Sequence, residues 1–318
     1  FFPVILSGPI ERSGNLLRQI RELPEKALWN YGRVAGGLTL LLFGLFQKMV
    51  IADRIAILAN QVFDNYHMYG TFGLTVGAIA YTIQIYCDFA SYSMMALGVA
   101  KVLDFGIIEN FQTPYFSRSM REFWRRWHIS LSSWFRDYLY IPLGGSRCGK
   151  WRRYFNLMVT FLASGLWHGA SWNFVFWGLY YGMFIFFEML IGKKRMKKMP
   201  VPLAHIYTKL VIFIGFGIFY FENLGSLGTF FKALVGANGN KLTDTVTQHL
   251  FMNNIWLFAA AVLFTMPVIP KIKEKALSAK GTAYFMQSAG ILCNAAILVL
   301  SSVLLVNTTN NPFLYFRF

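Results

Sequence analysis

The sequence predicts an all-α fold, a polytopic integral membrane protein, and three observations carry that prediction. Of its 318 residues, 56% are hydrophobic and only 14% are charged, whereas roughly a quarter of a soluble domain is charged. Apolar runs recur at about 20 residues, the length an α-helix needs to cross the hydrocarbon core of a bilayer. The net charge of +16 would suit a nucleic-acid binder if it were spread over a soluble surface. Instead the cations gather between apolar runs, the pattern of cytoplasmic loops, so the expected partner is membrane lipid and not nucleic acid.

Taken in order, the runs place seven spans at about 34–51, 72–100, 154–170, 172–192, 205–222, 253–270 and 285–306. Orientation follows from lysine and arginine. The stretch KKRMKK at 193–198 and the lysines at 271, 273, 275 and 280 mark two cytoplasmic loops, and the loop 223–252 between them, with only Lys232 and Lys241, lies outside. Alternation then puts 101–153 inside, where ten basic residues face four acidic ones. The N-terminal 1–33 also falls inside and the C-terminus outside. Lys48, near an outer end, is the misfit. The chain starts Phe1-Phe2-Pro3 without an initiator Met. It is expected to be a single domain over 1–318 that lacks the N-terminal spans of a longer protein. The three cysteines are scattered, so neither a metal site nor a disulfide framework is expected.

Within the long inner loop, 119–139 reads as one amphipathic helix lying in the interface. Ser119 followed by Glu122 is a capping box, and Pro142 with Gly144-Gly145 ends the helix. Met120, Phe123, Trp124, Trp127, Leu131, Trp134, Phe135 and Tyr138 make an apolar face; Arg121, Arg125, His128, Ser132 and Arg136 make the opposite stripe.

The chemistry centres on FNLMVTFLASGLWHGASWNFVF at 155–176. Its polar residues Asn156, Thr160, Ser164 and His168 stand four apart and so share one helix face. Everything around them is apolar, so that face looks into a cavity or a partner helix, and an ionisable residue there is a functional candidate. A neutral imidazole takes a proton from a hydroxyl near pH 7, which makes His168 a candidate general base. Trp167, Trp172, Gly165 and Gly169 would shape an aromatic pocket around it, with Asn156, Thr160, Ser164, Trp167 and Asn173 as substrate-binding candidates. The plain alternative is a histidine satisfied by a helix–helix hydrogen bond.

His128 is the second candidate, for catalysis or donor positioning, against a plain interfacial polar role. Arg125 and Arg126 beside it suit an anionic acyl thioester, coenzyme A or a phosphopantetheine carrier protein, as substrate in place of a tightly bound cofactor. Headgroup contact is the alternative for those arginines. Gln84, Asp88 and Ser91 form another polar line, on which Asp88 is expected to pair with an arginine of the interfacial helix. In the tail NPFLYFRF, Tyr315 either belongs to an aromatic belt or folds back toward the outer mouth of the His168 cavity. Buried polar lines also suit a transporter or scaffold without chemistry.

Several stretches together carry a resemblance: FGLFQKMVIAD at 43–53, YTIQIYCDFASYS at 81–93, ENFQTPYFSRSMREFWRRWHISLSSWFRDYLYIPLGG at 109–145 and SGLWHGASWNFVFWG at 164–178. The sequence resembles the membrane-bound O-acyltransferase family, in the branch of the alginate O-acetyltransferase membrane subunit and the teichoic-acid D-alanyl transfer protein. The resemblance implies a ring of transmembrane helices with interfacial amphipathic helices around a central cavity, in a bacterial cytoplasmic membrane. A cytoplasmic donor or carrier and an extracellular acyltransferase- or esterase-like partner acting on a surface polysaccharide are implied with it. It makes the Trp-His-Gly histidine, His168, catalytic and carries the histidine of the RRWHIS block onto His128. It implies acyl transfer, most simply of acetyl, to a polysaccharide or partner-protein hydroxyl; D-alanyl transfer from a carrier thioester is the alternative.

Overall fold

A computed structural model describes residues 1–4, 8–25, 29–243, 245–266 and 283–306. Every regular element among them is helical. After a short α1 (Ser13–Glu22), α2 (Tyr31–Phe46) runs through a widened turn, Gln47–Ala52, into α3 (Asp53–Asp64). The long α4 (Thr71–Val102) lies against α2 and α3. Small residues let these helices approach closely: a Cβ added at Gly37 would stand 2.7 Å from the carbonyl oxygen of Gly98. Two short helices follow, α5 (Met120–Arg126) and α6 (Ile129–Phe135). The hairpin of α7 (Lys150–His168) and α8 (Trp172–Ile191) comes next. Its helices meet at Gly165 and Gly178, where a Cβ on Gly178 would collide with the Phe161 carbonyl oxygen. The chain continues through α9 (Lys193–Lys198), α10 (Val201–Tyr220), α11 (Leu224–Leu234), α12 (Thr245–Asn253) and α13 (Ile255–Thr265) to α14 (Ala283–Val306).

Helices form at all seven expected spans, but four are long and apolar enough to cross a membrane: Tyr31–Asp64, Trp172–Ile191, Val201–Tyr220 and Ser288–Val306. A fifth is reached if α12 and α13, bent by 58° at Asn254, count as one span. The described part of the expected 253–270 span is α13, the second member of this bent pair. α4 and α7 have the length but not the hydropathy, because polar side chains and tyrosines interrupt them. α4 tolerates this because most of its surface, Gln84, Asp88, Ser91 and Ser93 included, is buried against protein. The lysines at 271, 273, 275 and 280 and the tail with Tyr315 lie outside the described residues.

The misfit Lys48 is explained by the widened turn that carries it. Its side chain is buried, with Nζ 2.6 Å from Asp88 Oδ1 and 2.8 Å from Asp53 Oδ1. Asp88 thus pairs with this lysine and not, as expected, with an arginine of the interfacial segment. Low-dielectric surroundings require such a charge to be compensated at contact distance, and Lys48 lies one helix away. Removing one member strands the others: Lys48→Met should cost roughly 3–5 kcal/mol, read as a lowered thermal unfolding midpoint in detergent. An unchanged midpoint would contradict the pairing.

Candidate active site

A cavity of about 440 Å³ opens between α4, α5, α6, α7, α8 and α10. His168 closes α7, and its ring is packed edge-on by Trp177 (4.9 Å between centroids), Trp167 (4.9 Å) and Phe219 (5.1 Å). Among the described residues the imidazole makes no hydrogen bond, which leaves its nitrogens available toward the cavity. Thr160 and Ser164 line the cavity with it, so three of the four residues on the expected polar line converge there. Asn156 does not. It is fully buried, accepting from Arg152 Nε (3.1 Å) and donating to the Gly145 carbonyl (3.5 Å), and so ties α7 to the preceding turn.

His128 arrives from the other direction. The expected single helix over 119–139 is broken at Trp127–His128, and His128 takes a left-handed conformation (φ 44°, ψ 56°). The break holds because its backbone groups find partners elsewhere. Ile129 N–H donates to the Asn110 carbonyl (3.0 Å), and Ser130 N–H donates to Asn110 Oδ1 (3.2 Å). Asn110 Nδ2 in turn donates to Ser93 Oγ on α4 (3.1 Å), and Asn110 is wholly buried. The N-terminal segment adds a second tie: Ile10 N–H donates to Ser130 Oγ, and Arg12 reaches Ser133 and Asp137. Hydrogen bonds first from Arg136 and then from Arg12 hold the Asp137 carboxyl below its usual range. His128 is consequently buried, 3% exposed, and not on a solvated interfacial face. Burial, and secondarily the charge of nearby His168, lowers its pKa well below the ordinary imidazole value, so at neutral pH it is uncharged. His128 lies outside the four spanning helices.

All five residues of the expected stripe, Arg121, Arg125, His128, Ser132 and Arg136, line the cavity. Its remaining wall is aromatic and aliphatic: Phe89, Trp124, Phe161, Trp177, Ile185, Phe216 and Phe219 among others. Besides Asn156, four candidates fall elsewhere. Arg126 turns away to Glu122 (2.7 Å) and Thr113, because it lies off the stripe. Trp167 touches His128 and His168 with its ring edge but is 44% exposed and outside the cavity lining. Trp172 is 67% exposed, and Trp177 and Phe219 take the pocket-forming role expected of it. Asn173 is buried and donates to the Phe219 carbonyl (3.2 Å), holding α8 to α10. Arg121, Trp177 and Asn110 were not singled out by sequence. Arg121 was on the stripe; Asn110 sits in a loop whose pairing only the folded chain reveals. No group of His, Cys, Asp and Glu among the described residues could hold a metal ion.

The family model of membrane-bound O-acyltransferases matches residues 1–228. The chain belongs to this family. It is, accordingly, a multi-pass membrane protein and an O-acyltransferase, which sets aside the transporter or scaffold reading. Among the relatives, the probable alginate O-acetylase AlgI of Pseudomonas putida is 33% identical over the whole of this chain and 67% of its own length. The peptidoglycan O-acetyltransferase of Helicobacter pylori is also 33% identical, over all of this chain and 63% of its own. The teichoic acid D-alanyltransferase of Bacillus subtilis is 30% identical over 70% of this chain and 59% of its own. The chain thus spans about two thirds of the length of the relatives that align with all of it.

Asn110 is the residue on which the His128 turn depends. Asn110→Ala deletes two buried hydrogen bonds and orphans the Ser130 amide, at about 1–3 kcal/mol for that group. The expected result is a lower unfolding midpoint together with faster amide exchange at 128–133. A variant with unchanged exchange there would show that Asn110 does not hold the turn.

Proposed function

We propose that the cavity is where an acyl group, most simply acetyl, passes from a cytoplasmic thioester to a hydroxyl presented from the outer side. One observation carries the reading: two histidines 40 positions apart in sequence, on unrelated elements, face one aromatic cavity whose other wall carries Arg121, Arg125 and Arg136. The arginines suit the phosphates of coenzyme A or a phosphopantetheine arm, because a guanidinium binds a phosphate oxygen pair bidentately. Arg125 keeps the role expected of it, and Arg121 replaces Arg126.

In this reading His168 accepts the proton of the attacking hydroxyl as its oxygen bonds to the thioester carbonyl carbon. His128 stands beside the thioester and polarises or positions it. The tetrahedral adduct collapses with cleavage of the carbon–sulfur bond, and the departing thiolate takes the proton back from His168. Ser164 and Thr160, one and two turns below His168, offer hydrogen bonds to the incoming polar group. The aromatic walls exclude the water that would hydrolyse the thioester.

The nature of the cavity favours acetyl over D-alanyl. An alanyl ammonium calls for a carboxylate facing it, and the only carboxylate lining this cavity among the described residues, Asp88, is already paired with Lys48. The acceptor is proposed to be a surface polysaccharide, reached directly or through an extracellular partner protein, in a bacterial cytoplasmic membrane. That proposal rests on the alginate and peptidoglycan O-acetylating relatives.

His168→Ala in the full-length protein should lower ester-linked acetate on surface polymers by about 10²–10⁴-fold, the usual worth of a general base, at unchanged protein abundance. Mass spectrometry of the released groups reads both amount and identity. Undiminished acetate would overturn the assignment, and ester-linked alanine in its place would move the donor to the alanyl class.

A further inference from the structure

Glu188 is the one acid in the apolar helix α8, and sequence gives it no role. In the fold it is 2% exposed and lies on the α8 face that also carries Trp177, Tyr181 and Ile185. Its carboxylate does something specific. Oε1 accepts the Met120 amide at 2.6 Å, Oε2 accepts the Arg121 amide at 3.1 Å, and Tyr207 Oη of α10 donates to Oε1 at 3.2 Å. Met120 and Arg121 are the first two residues of α5. The next amide, Glu122, is taken by Ser119 Oγ at 3.1 Å, and that of Phe123 by the Ser119 carbonyl. The Phe123 bond is the first within the helix, so the amides of all three residues before it in α5 are accounted for, two of them by a carboxylate from another helix.

A carboxylate satisfies both at once and sets negative charge against the positive end of the helix dipole. The consequence lies in what α5 carries. Arg121, Trp124 and Arg125 project from it into the cavity, and its last residue leads directly into Trp127–His128. A seven-residue helix has too few internal hydrogen bonds to hold its own position. Its height and rotation must be set by its ends. Asn110 fixes the far side of the break; the near end is fixed by Glu188.

We propose that Glu188 is a positioning residue: through the α5 amides it aims Arg121 and Arg125 at the acyl donor and fixes where the His128 turn begins. The donor-binding role of those arginines rests on the function proposed above; the tethering of α5 does not, so the two are tested separately.

The first measurement is hydrogen–deuterium exchange on the full-length protein in lipid nanodiscs, comparing wild type with Glu188→Gln and Tyr207→Phe. Glu188→Gln should speed exchange at least about tenfold at 120–128 while leaving α2–α4 unchanged. Tyr207→Phe, which leaves both amide bonds in place, should give a smaller change at the same residues. Unchanged exchange at 120–128 in Glu188→Gln would overturn the proposal, as would a general loss of protection in both variants. The second measurement is steady-state acetyl transfer from acetyl-coenzyme A. Glu188→Gln should raise the donor KM about tenfold with kcat lowered less than threefold. In an Arg121→Ala/Arg125→Ala background the same change should add little, because it acts through those side chains; a full additional KM effect there would overturn the proposal. Should the wild type fail to use acetyl-coenzyme A while the exchange result holds, the donor reading falls and the tether stands.

Discussion

An interior without water cannot leave backbone N–H and C=O groups unpaired, and this constraint governs the site more than any single side chain does. A continuous helix satisfies itself; a chain that stops and turns inside the protein must find partners for its buried amides. Here the chain stops twice, before Met120 and at Trp127–His128, and each stop is met by a buried polar side chain from a distant part of the sequence. Glu188 meets the first and Asn110 the second. Without them α5 and α6 would have no reason to hold their places, and the wall of the cavity would have no fixed shape.

The same logic connects charge to chemistry. Lys48 sits between Asp53 and Asp88 on a widened turn, so the carboxylate nearest the cavity is neutralised by a partner behind it. What the cavity presents is then an uncharged His128, a His168 without a hydrogen bond among the described residues, the hydroxyls of Ser132, Ser133, Tyr140, Thr160 and Ser164, and a row of arginines. That distribution suits a reaction whose donor is anionic at one end and neutral at the reacting bond.

Much of this was legible in the sequence, for identifiable reasons. The four-residue spacing of Asn156, Thr160, Ser164 and His168 is set by helix geometry alone, so a correct helix assignment sufficed to bring Thr160, Ser164 and His168 together. The stripe Arg121–Arg125–His128–Ser132–Arg136 survived even though the helix beneath it is broken, because the break rotates the chain without moving those side chains off the cavity side. The break itself was not legible: nothing near His128 announces a left-handed residue, and its cause, Asn110, acts across the fold. Glu188 reads as a stray acid in an apolar run until Met120 and Arg121 are seen beside it. Two expectations failed on distance: Asp88 found a lysine 40 residues earlier in place of an arginine, and Arg126 found Glu122 one turn away. By length and hydropathy alone, four of the described helices, or five with the bent pair, meet the measure of a span; α4 and α7 have the length but carry a polar side turned inward, a composition that burial against protein permits.

The most direct test of the account is a cryo-electron microscopy map of the full-length protein with a non-hydrolysable thioether analogue of acetyl-coenzyme A. The account predicts density for the pantetheine arm along Arg121 and Arg125, with the acyl end between His128 and His168. Density elsewhere on the protein, with the cavity between the two histidines empty at saturating analogue, would contradict it.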